Sequence, residues 1–488
     1  MGGLSKKAYQ IKEIIKENTA PYLILDAGAL LFKNERLNPG KQSQDEITAT
    51  GIVAAYNAMN YDAVGISRHD LAAGLDFLIN IRDRSQFPWL SANLVRISTN
   101  QPIFESSSIR KIGDLKVGII GITENVTPGT FSKKDDAAIL PWTQILPQLA
   151  EDLSQSCDMV ILLSSLSATE NLQITKELTN IHMILQAQPT SANLNPVQHA
   201  NTLVFETANR GKYFGLLRFN WSASKAWGVD NTDSLLTLRQ NLDRYAWQVK
   251  RFTSKGDPEE IFKTDPRRLS SYRNLVQKHD ALADEINAIE KDIEYQKKKG
   301  LLFSTFANRF FPLDISMPDH KEVKEIVEET KKKVNEAGKN LAQNVSPQKN
   351  SEDQASFQSN NLYTGWKICA KCHDQQTLFW QKSKHRNAYQ TLINQQQQYN
   401  LDCLPCHITP AYSGDVSNAL KLPEEFLQVG CETCHGPGNR HSADPSGWPL
   451  QSIPGEIVCK RCHTPDRDEA FVYLNKMKLL GCSQAATQ

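Results

Sequence analysis

The chain contains 488 residues, of which 40% are hydrophobic, with 55 Lys and Arg against 54 Asp and Glu. A chain of this length is expected to form two or three domains of about 150 residues, and its apolar content is sufficient for buried cores. The formal charge of +1 gives no indication of a nucleic-acid partner. The chain has no run of about 18 apolar residues, so no transmembrane segment is predicted.

Residues 1–224 alternate short β-rich runs with amphipathic stretches. Glu46–Met59 and Trp142–Ser154 follow the periodicity of a helix. The predicted strands are Tyr22–Asp26, Asp62–Ile66, Phe87–Val95, Lys116–Ile122, Asp158–Ser164, Ile181–Leu185, Thr202–Glu206 and Tyr213–Trp221. This alternation predicts an α/β domain.

Residues 225–342 have a helical pattern. Apolar residues keep a 3,4 spacing over 235–252 and, after a Gly-Asp-Pro break, again over 272–293. This spacing predicts a helical hairpin or a short coiled coil that connects two domains. A third helix is predicted from His320 to about Leu341.

A polar linker rich in Ser, Asn and Gln is predicted at 343–361. Beyond it, residues 362–488 contain four copies of Cys-x-x-Cys-His. They read C-A-K-C-H at 369–373 (motif 1), C-L-P-C-H at 403–407 (motif 2), C-E-T-C-H at 431–435 (motif 3) and C-K-R-C-H at 459–463 (motif 4).

This pattern is the attachment site of haem c. The two thiols form thioethers with the porphyrin, and the adjacent imidazole binds the iron from one face. The predicted thioether residues are Cys369, Cys372, Cys403, Cys406, Cys431, Cys434, Cys459 and Cys462, and the predicted iron ligands are His373, His407, His435 and His463. Because four haems would supply much of the apolar core, regular secondary structure should be sparse in this zone.

Zinc is the alternative to haem, because paired Cys-x-x-Cys motifs also build structural zinc sites. A zinc site does not require a His directly after every second Cys, so we favour four covalent haems. The two remaining cysteines, Cys157 and Cys482, are predicted to be free thiols.

The surroundings of the motifs resemble the multihaem cytochromes of the c-554 type over about residues 362–482. The matching stretches are Y-T-G before motif 1, F-W-Q-K-S-K-H ending at His385, D-C-L-P-C-H, G-C-E-T-C-H-G-P-G-N-R-H ending at His441, and C-K-R-C-H-T-P-D-R-D. In that family the His of the S-x-H segment and the His after H-G-P-G are distal iron ligands. The resemblance therefore implies His385 and His441 as distal ligands here.

The supply of imidazoles limits the coordination of the irons. Four bis-His haems need eight imidazoles, and residues 362–488 contain six. At most two haems can therefore be bis-His from within this zone. The others are expected to be five-coordinate, or to take Met477, His320, a Lys amine or a residue of another subunit.

Residues 1–221 resemble a second family, the calcineurin-like metallophosphoesterases of the 5′-nucleotidase type. The matching stretches are G-G-L-S-K-K at 2–7, L-I-L-D-A-G at 23–28, Y-D-A-V-G at 61–65, F-P-W-L-S-A-N at 87–93 and G-K-Y-F-G at 211–215. The resemblance implies an α/β sandwich whose loops, in the family, hold a two-metal site that activates water. The family's first D-x-H motif would precede Gly2, which fits an N-terminally truncated sequence.

The family's metal-ligand positions carry other residue types in this chain. They are occupied by Ala29, Ile66, Ser67, Ser165, Gln186 and Gln188. Ala and Ile cannot bind a divalent cation, and Gln is a poor ligand. The nearby His69 and Asp70 lie on one loop, which cannot hold a dinuclear centre. We therefore predict a pseudoenzyme that keeps the fold, binds no catalytic metal pair and does not hydrolyse phosphoesters.

Three functions are consistent with these residues. The leading one is a multihaem c-type cytochrome for electron transfer, in which the phosphoesterase-like domain serves docking or assembly. The alternative is a redox enzyme that acts on a small nitrogen or sulfur oxyanion at an open haem face. An active nucleotide phosphohydrolase is the least favoured.

Haem attachment takes place outside the cytoplasm, so a periplasmic or cell-surface location is expected. Met1 is not followed by a signal peptide, which is therefore expected to have been removed or truncated. The expected partners are other redox proteins, cytochromes above all, and the chain could form a homo-oligomer.

Overall fold

The computed structural model describes most of the chain. The described residues are 3–132, 134–187, 193–207, 211–222, 224–228, 238, 242, 245–246, 248–250, 252–253, 256–263, 265–298, 303–314, 316–344, 362–409, 416–464, 467–468 and 471–480. Most of the helix predicted over 235–252 and of the linker predicted over 343–361 lies outside them, as does Cys482. Within them, no helix is both long enough and apolar enough to cross a bilayer.

Most strands of the described residues lie in the first zone. They are β1 Leu25–Asp26, β2 Ala63–Gly65, β3 Trp89–Leu90, β4 Leu94–Arg96, β5 Ser107–Ile112, β6 Leu115–Ile122, β7 Ala137–Ile139, β8 Met159–Ser164, β9 Met183–Gln186, β10 Leu194–His199, β11 Thr202–Glu206, β12 Tyr213–Asn220 and β13 Thr305–Pro312. The helices of this zone are α1 Leu4–Glu17, α2 Gln42–Ala58, α3 Leu75–Arg84, α4 Trp142–Ser156 and α5 Ala168–Glu177.

The strands form two main sheets. β1, β2 and β3 make a parallel sheet, and the second sheet has the order β10-β11-β9-β8-β6-β5. In the second sheet β11, β9, β8 and β6 are parallel, whereas the edge strands β10 and β5 are antiparallel to their neighbours. All six residues of β8, Met-Val-Ile-Leu-Leu-Ser, are buried, as is typical of a strand covered on both faces.

The two sheets pack face to face. Their shared core includes Ala63 and Leu90 from the first sheet and Ile119 and Leu163 from the second. A Cβ added to Gly121 of β6 would lie 2.1 Å from the carbonyl oxygen of Leu90. Glycine is therefore required where the two sheets approach most closely.

Helices cover both outer faces of this sandwich. Val53 of α2 and Leu78 of α3 pack against the first sheet, and Leu146 of α4 and Ile174 of α5 pack against the second. The layers therefore run helix, sheet, sheet, helix. This architecture confirms the predicted α/β sandwich.

The middle zone contains helices and a strand. Its helices are α6 Pro258–Ile261, α7 Pro266–Lys298 and α8 Lys321–Asn344, and α7 and α8 agree with the helical pattern of the sequence. β13, which was not predicted, pairs antiparallel with β12 over eight residues. Val323 and Val327 of α8 lie in the core beneath the first sheet, so α8 packs on the N-terminal part of the chain.

The last zone consists of short helices joined by irregular segments, as predicted. They are α9 Trp366–Cys369, α10 Asp374–Gln381, α11 Ala388–Asn394, α12 Leu404–His407, α13 Cys431–His435, α14 Asn439–Ala443, α15 Glu456–Cys459 and α16 Tyr473–Met477, with 3₁₀ turns at Val416–Lys421 and Glu424–Phe426. Its own apolar core is small and centres on Leu392, Leu404 and Phe426.

Candidate haem centres and a second polar site

Each Cys-x-x-Cys-His motif forms or follows a single helical turn. In motif 1 the His373 amide donates to the Cys369 carbonyl at 3.0 Å, and in motif 4 the His463 amide donates to the Cys459 carbonyl at 2.9 Å. Residues i, i+3 and i+4 of such a turn lie on one side of it. The two thiols and the imidazole of a motif therefore face the same volume, as attachment of one porphyrin requires.

The motifs lie close together in pairs. Cys369 of motif 1 hydrogen-bonds Cys431 of motif 3, and Cys406 of motif 2 hydrogen-bonds Cys462 of motif 4. Groups attached to these thiols would therefore be neighbours.

Two pairs of imidazoles face each other across the zone. The ring centroids of His373 and His441 are 6.3 Å apart, and those of His385 and His463 are 6.1 Å apart. Two imidazoles that bind one iron from opposite faces, with Fe–N bonds of about 2 Å, have centroids about 6 Å apart. The spacing of both pairs thus fits bis-His coordination, with His441 opposite motif 1 and His385 opposite motif 4.

Hydrogen bonds orient four of the six imidazoles. The Nδ1 atoms lie 2.7 Å from Ala388 O for His407, 2.7 Å from Gln451 O for His435, 3.0 Å from Trp448 O for His441 and 2.9 Å from Asp468 Oδ2 for His463. Carbonyl and carboxylate oxygens accept hydrogen bonds, so each Nδ1 carries the proton. The lone pair of Nε2 is then available for a metal, which is the usual arrangement of a ligating His.

The surroundings of His385 favour metal binding through a shift of its pKa. Burial, together with the neighbouring His463, lowers the pKa of His385. A lower pKa favours the neutral imidazole, which is the form that binds iron.

His407 and His435 have no second imidazole facing them in the part of the chain that the structure describes. His320 does not supply one. Its amide bonds to Ser5 O at the start of α8, whereas Leu341, near the other end of α8, contacts residues 362–488, which we call the haem zone. These two positions are separated by about 30 Å of helix at 1.5 Å per residue. Met477 is half-buried on α16.

The haem zone exposes an unusual amount of apolar surface. Of the large exposed hydrophobic side chains among the described residues, the most exposed are Ile457 (77%), Leu479 (76%) and Leu474 (70%), all near motif 4. A covalently held porphyrin is an apolar body that would cover such side chains.

A second polar site lies at the carboxyl ends of the parallel strands in the N-terminal part. Ser165 Oγ donates to Ile66 O at 3.2 Å, and the Ala29 amide donates to Ser67 Oγ at 3.0 Å. Asn171 connects Gln186 to the end of β8 by donating to Gln186 Oε1 at 2.8 Å. Five of the six positions predicted to correspond to metal ligands are thus brought together, and the sixth, Gln188, is outside the described residues.

Asp70 ties the loops of this site together. Its carboxylate accepts hydrogen bonds of 2.8–3.0 Å from the amides of Ala29, Leu30, Leu31 and Ser67 and from Ser67 Oγ. The side chain is fully buried, and burial raises its pKa. Sequence reasoning discounted Asp70 as a metal ligand and did not foresee its structural role, because the amides it bonds lie 39–41 positions away or in its own turn.

An ion network fills the space beside Asp70. Arg68 Nε lies 2.9 Å from Glu35 Oε1 and 3.5 Å from Glu124 Oε1, and the Arg68 amide donates to Glu124 at 3.0 Å. Burial raises the pKa of Glu124 to about 7. Among the described residues, no group of three or more His, Cys, Asp or Glu side chains is placed to hold a metal ion.

Comparison with known proteins finds relatives of two kinds. Residues 368–436 match the family model for cytochrome c554 and c-prime, and this range contains motifs 1, 2 and 3. Cytochrome c-554 of Nitrosomonas europaea (strain ATCC 19718 / CIP 103999 / KCTC 2705 / NBRC 14298) is 28% identical over 98 residues, which cover 17% of this chain and 41% of that protein.

Other relatives match a different part of the chain. Protein UshA of Escherichia coli (strain K12) is 30% identical over 125 residues, which cover 26% of this chain and 22% of that protein. The solved structure of a sulfate thiohydrolase, SoxB, from Thermus thermophilus is 13% identical with a TM-score of 0.43, covering 67% of this chain and 46% of that one. The chain thus spans less than half the length of each of these proteins.

Two classes of protein are therefore combined in one chain. Its N-terminal part is similar to 5′-nucleotidases, and its C-terminal part is similar to cytochrome c-554. The cytochrome family implies covalently bound haem c.

Proposed function

We propose that the chain is an extracytoplasmic multihaem cytochrome that passes electrons between redox partners through four haems c. The observation that carries the proposal is the presence of two pairs of facing imidazoles. His373 faces His441 and His385 faces His463, and the spacing within each pair is suited to one iron. Haem c supplies an iron that changes oxidation state by one electron. The proximity of the motif pairs, Cys369 to Cys431 and Cys406 to Cys462, would place the cofactors close enough for transfer.

The mass of the denatured protein tests this proposal. We expect the mass to exceed 54.8 kDa by four haem masses, and acid–acetone should extract no haem. Stoichiometric zinc without added mass would refute the haem proposal and support the zinc alternative.

We propose in addition that the 5′-nucleotidase-like part is a pseudoenzyme that serves docking or assembly. The support is chemical. Asp70 accepts hydrogen bonds from the amides of Ala29 and Ser67, two positions where the resembled family places metal ligands. Beside them Arg68 pairs with Glu35 and Glu124. A nucleotidase assay of the full chain tests this proposal.

The second candidate is a redox enzyme that acts on a small nitrogen or sulfur oxyanion. It is favoured by His407 and His435, which face no second imidazole within the described residues and so leave room for an open iron face. Visible spectra distinguish the two candidates. High-spin bands that shift on addition of nitrite or sulfite would favour the enzyme, and bands insensitive to them would favour the electron carrier.

The proposed partners are other redox proteins, cytochromes above all, and the proposed location is the periplasm or the cell surface. Covalent attachment of haem outside the cytoplasm is the reason for this location. Fractionation of cells with an antibody to the chain tests the location. Recovery of haem-loaded protein in the cytoplasmic fraction would contradict it.

A further inference from the structure

The haem zone docks on the N-terminal part through a short segment just before motif 2. We call residues 397–402 the docking segment. Gln44 of α2, which is 3% exposed, donates from Nε2 to Tyr399 O at 2.8 Å and accepts from the Leu401 amide at 2.9 Å. The same Nε2 donates to Val334 O of α8 at 2.9 Å. One buried amide therefore connects α2 of the N-terminal part and α8 of the middle zone to the docking segment.

Helix α8 makes further contacts with the docking segment. Asn335 Oδ1 accepts from the Tyr399 amide at 2.8 Å, and Gln397 Nε2 donates to Lys331 O at 3.1 Å. A Cβ added to Gly338 would lie 2.1 Å from Tyr399 O, a distance that real Cβ atoms do not adopt. The absence of a side chain at Gly338 is therefore a condition for docking.

Charged groups gather where the docking segment ends at motif 2. Lys41 Nζ lies 2.8 Å from Asp402 and 2.7 Å from Asp45, and Lys33 Nζ lies 3.8 Å from Asp402. Although burial opposes ionisation, Lys41 and Lys33 hold the pKa of Asp402 below its usual value. Asp402 directly precedes Cys403, so an ionised pair stands beside the first thiol of motif 2.

A cleft runs along the N-terminal part and reaches this interface, where Asp402 also lines it. It has a volume of about 2120 Å³, and Leu31, Lys33 and Lys41 line it from the N-terminal part. Cys403 and Pro405 of motif 2 line it from the haem zone. Motif 2 is thus bordered by the 5′-nucleotidase-like part, and its ligand His407 faces no second imidazole within the described residues.

We propose that the 5′-nucleotidase-like part forms one wall of the site of the haem carried by motif 2, and that Lys41 and Asp402 set its reduction potential in opposite directions. This inference rests on the proposed haem at Cys403 and Cys406. A cation near an iron centre stabilises the reduced form, and an anion stabilises the oxidised form. The side chain of Lys41 is 16% exposed and that of Asp402 is 39% exposed, so solvent screens the charge of Lys41 less than that of Asp402.

Potentiometric titration of the full chain tests the two charges. We expect Lys41→Met to lower the midpoint of one of the four haems and Asp402→Asn to raise the midpoint of the same haem. The control is Lys176→Met, which removes an exposed lysine on α5 and should move none. Unchanged midpoints in the first two variants, or shifts of the same sign, would overturn the inference.

The docking contact is tested separately with Gly338→Ala, which keeps every charge. We expect faster hydrogen exchange of 397–402 and a shifted midpoint for the same haem, because the new Cβ displaces Tyr399. The matched control, Lys339→Ala, changes the exposed neighbour on α8 and should alter neither measurement. Wild-type exchange and midpoint in Gly338→Ala would refute a wall formed by the N-terminal part.

The mass of each denatured variant shows whether a negative result contradicts the proposed function or only this inference. A protein without haem on 403–407 would refute the proposed function. If the variants carry four haems and their midpoint potentials do not change when Lys41, Asp402 or Gly338 is replaced, this inference is refuted and the proposed function stands.

Discussion

At the scale of single residues, the six imidazoles of the haem zone have different surroundings. His407, His435, His441 and His463 have Nδ1 bonded to an oxygen acceptor, whereas His385 is held neutral by burial and by His463. Four of these residues form two facing pairs. With iron bound between each pair, motif 1 and motif 4 would each have one distal imidazole.

The pairing predicts the effect of removing a distal imidazole. His385→Ala and His441→Ala should each convert one low-spin haem to high spin, because the iron loses one axial ligand. The denatured mass should remain that of a protein with four haems. His320→Ala is the control and should leave the visible spectrum unchanged. Wild-type spectra in both distal variants would mean that these imidazoles do not bind iron.

Glu124 predicts a pH dependence of stability in the N-terminal part. Between pH 4.5 and about 7 the folded state keeps a proton that the unfolded state has released, because burial raises the pKa of Glu124 to about 7. Unfolding therefore releases a proton, and the free energy of unfolding falls as pH rises through this window.

Glu124→Gln removes this titration. The variant should be more stable than the wild type by about 1–3 kcal/mol at pH 8, with a smaller difference at pH 5. Hydrogen exchange of β6 and β8 in the full chain measures the change locally. Glu177→Gln, on the exposed face of α5, is the control. Equal protection of wild type and Glu124→Gln at both pH values would contradict the prediction.

At the scale of elements, loops from different strands of the N-terminal part are joined by hydrogen bonds at one edge of the sheets. Asp70 bonds to the loop after β1 and to its own loop after β2, and Ser165 after β8 bonds to Ile66. Hydrogen bonds within the protein thus connect the loops at which the proposed pseudoenzyme would have lost its cations.

This bonding predicts that hydrolysis cannot be restored by one residue. The full chain and its Ala29→Asp variant should both be inactive toward nucleotides with excess Mn²⁺, Zn²⁺ or Co²⁺. One carboxylate leaves the other ligand positions without donors, and even outer-shell changes cost about 10–100-fold in affinity or activity. Metal analysis of the purified protein accompanies the assay. Steady turnover with stoichiometric metal would support the hypothesis that the chain is an active phosphohydrolase.

The periodicity of the sequence predicted the long buried strands and was weaker elsewhere. β8 and β11 lie within one residue of their predicted bounds, because continuous apolar runs indicate strands. The predicted strand Phe87–Val95 is two strands in separate sheets, because Asn93 turns inward and donates to Thr123 O at 2.8 Å. β13 was missed because its partner, β12, lies about ninety positions earlier.

At the scale of the whole molecule, one buried amide takes part in several of the contacts that join the two parts of the chain. The side chain of Gln44 satisfies backbone groups of Val334, Tyr399 and Leu401. Backbone groups that lose their partner in a buried interface cost about 1–3 kcal/mol. The interface should therefore be sensitive to this residue.

Gln44→Leu keeps the volume of the side chain and removes its hydrogen bonds. We expect the protection of the docking segment against hydrogen exchange to fall by about 1–3 kcal/mol, with the strands of the sandwich unaffected. Gln42→Leu is the matched control, because Gln42 is exposed on the same helix and bonds only within it, to Glu46. Unchanged exchange over 397–402 in Gln44→Leu would show that the amide does not hold the two parts together.

The sequence by itself determined the features that depend on neighbouring residues. A Cys-x-x-Cys-His motif places its thiols and imidazole on one side of a single turn. Haem attachment can therefore be predicted from five consecutive residues. The prediction that Ala29 and Ile66 stand at metal-ligand positions of the resembled family was also made from short sequence motifs. The supply of six imidazoles for four irons also followed from counting.

Only the tertiary structure decided which imidazoles face each other and what borders motif 2. His373 and His441 are 68 positions apart, and Gln44 and Leu401 are 357 positions apart. Contacts at such separations arise from packing of whole elements, and no local periodicity encodes them. The backbone bonds of Asp70 were hidden for the same reason, since a carboxylate in a sequence does not reveal whether it will face a metal, a solvent or a set of amides.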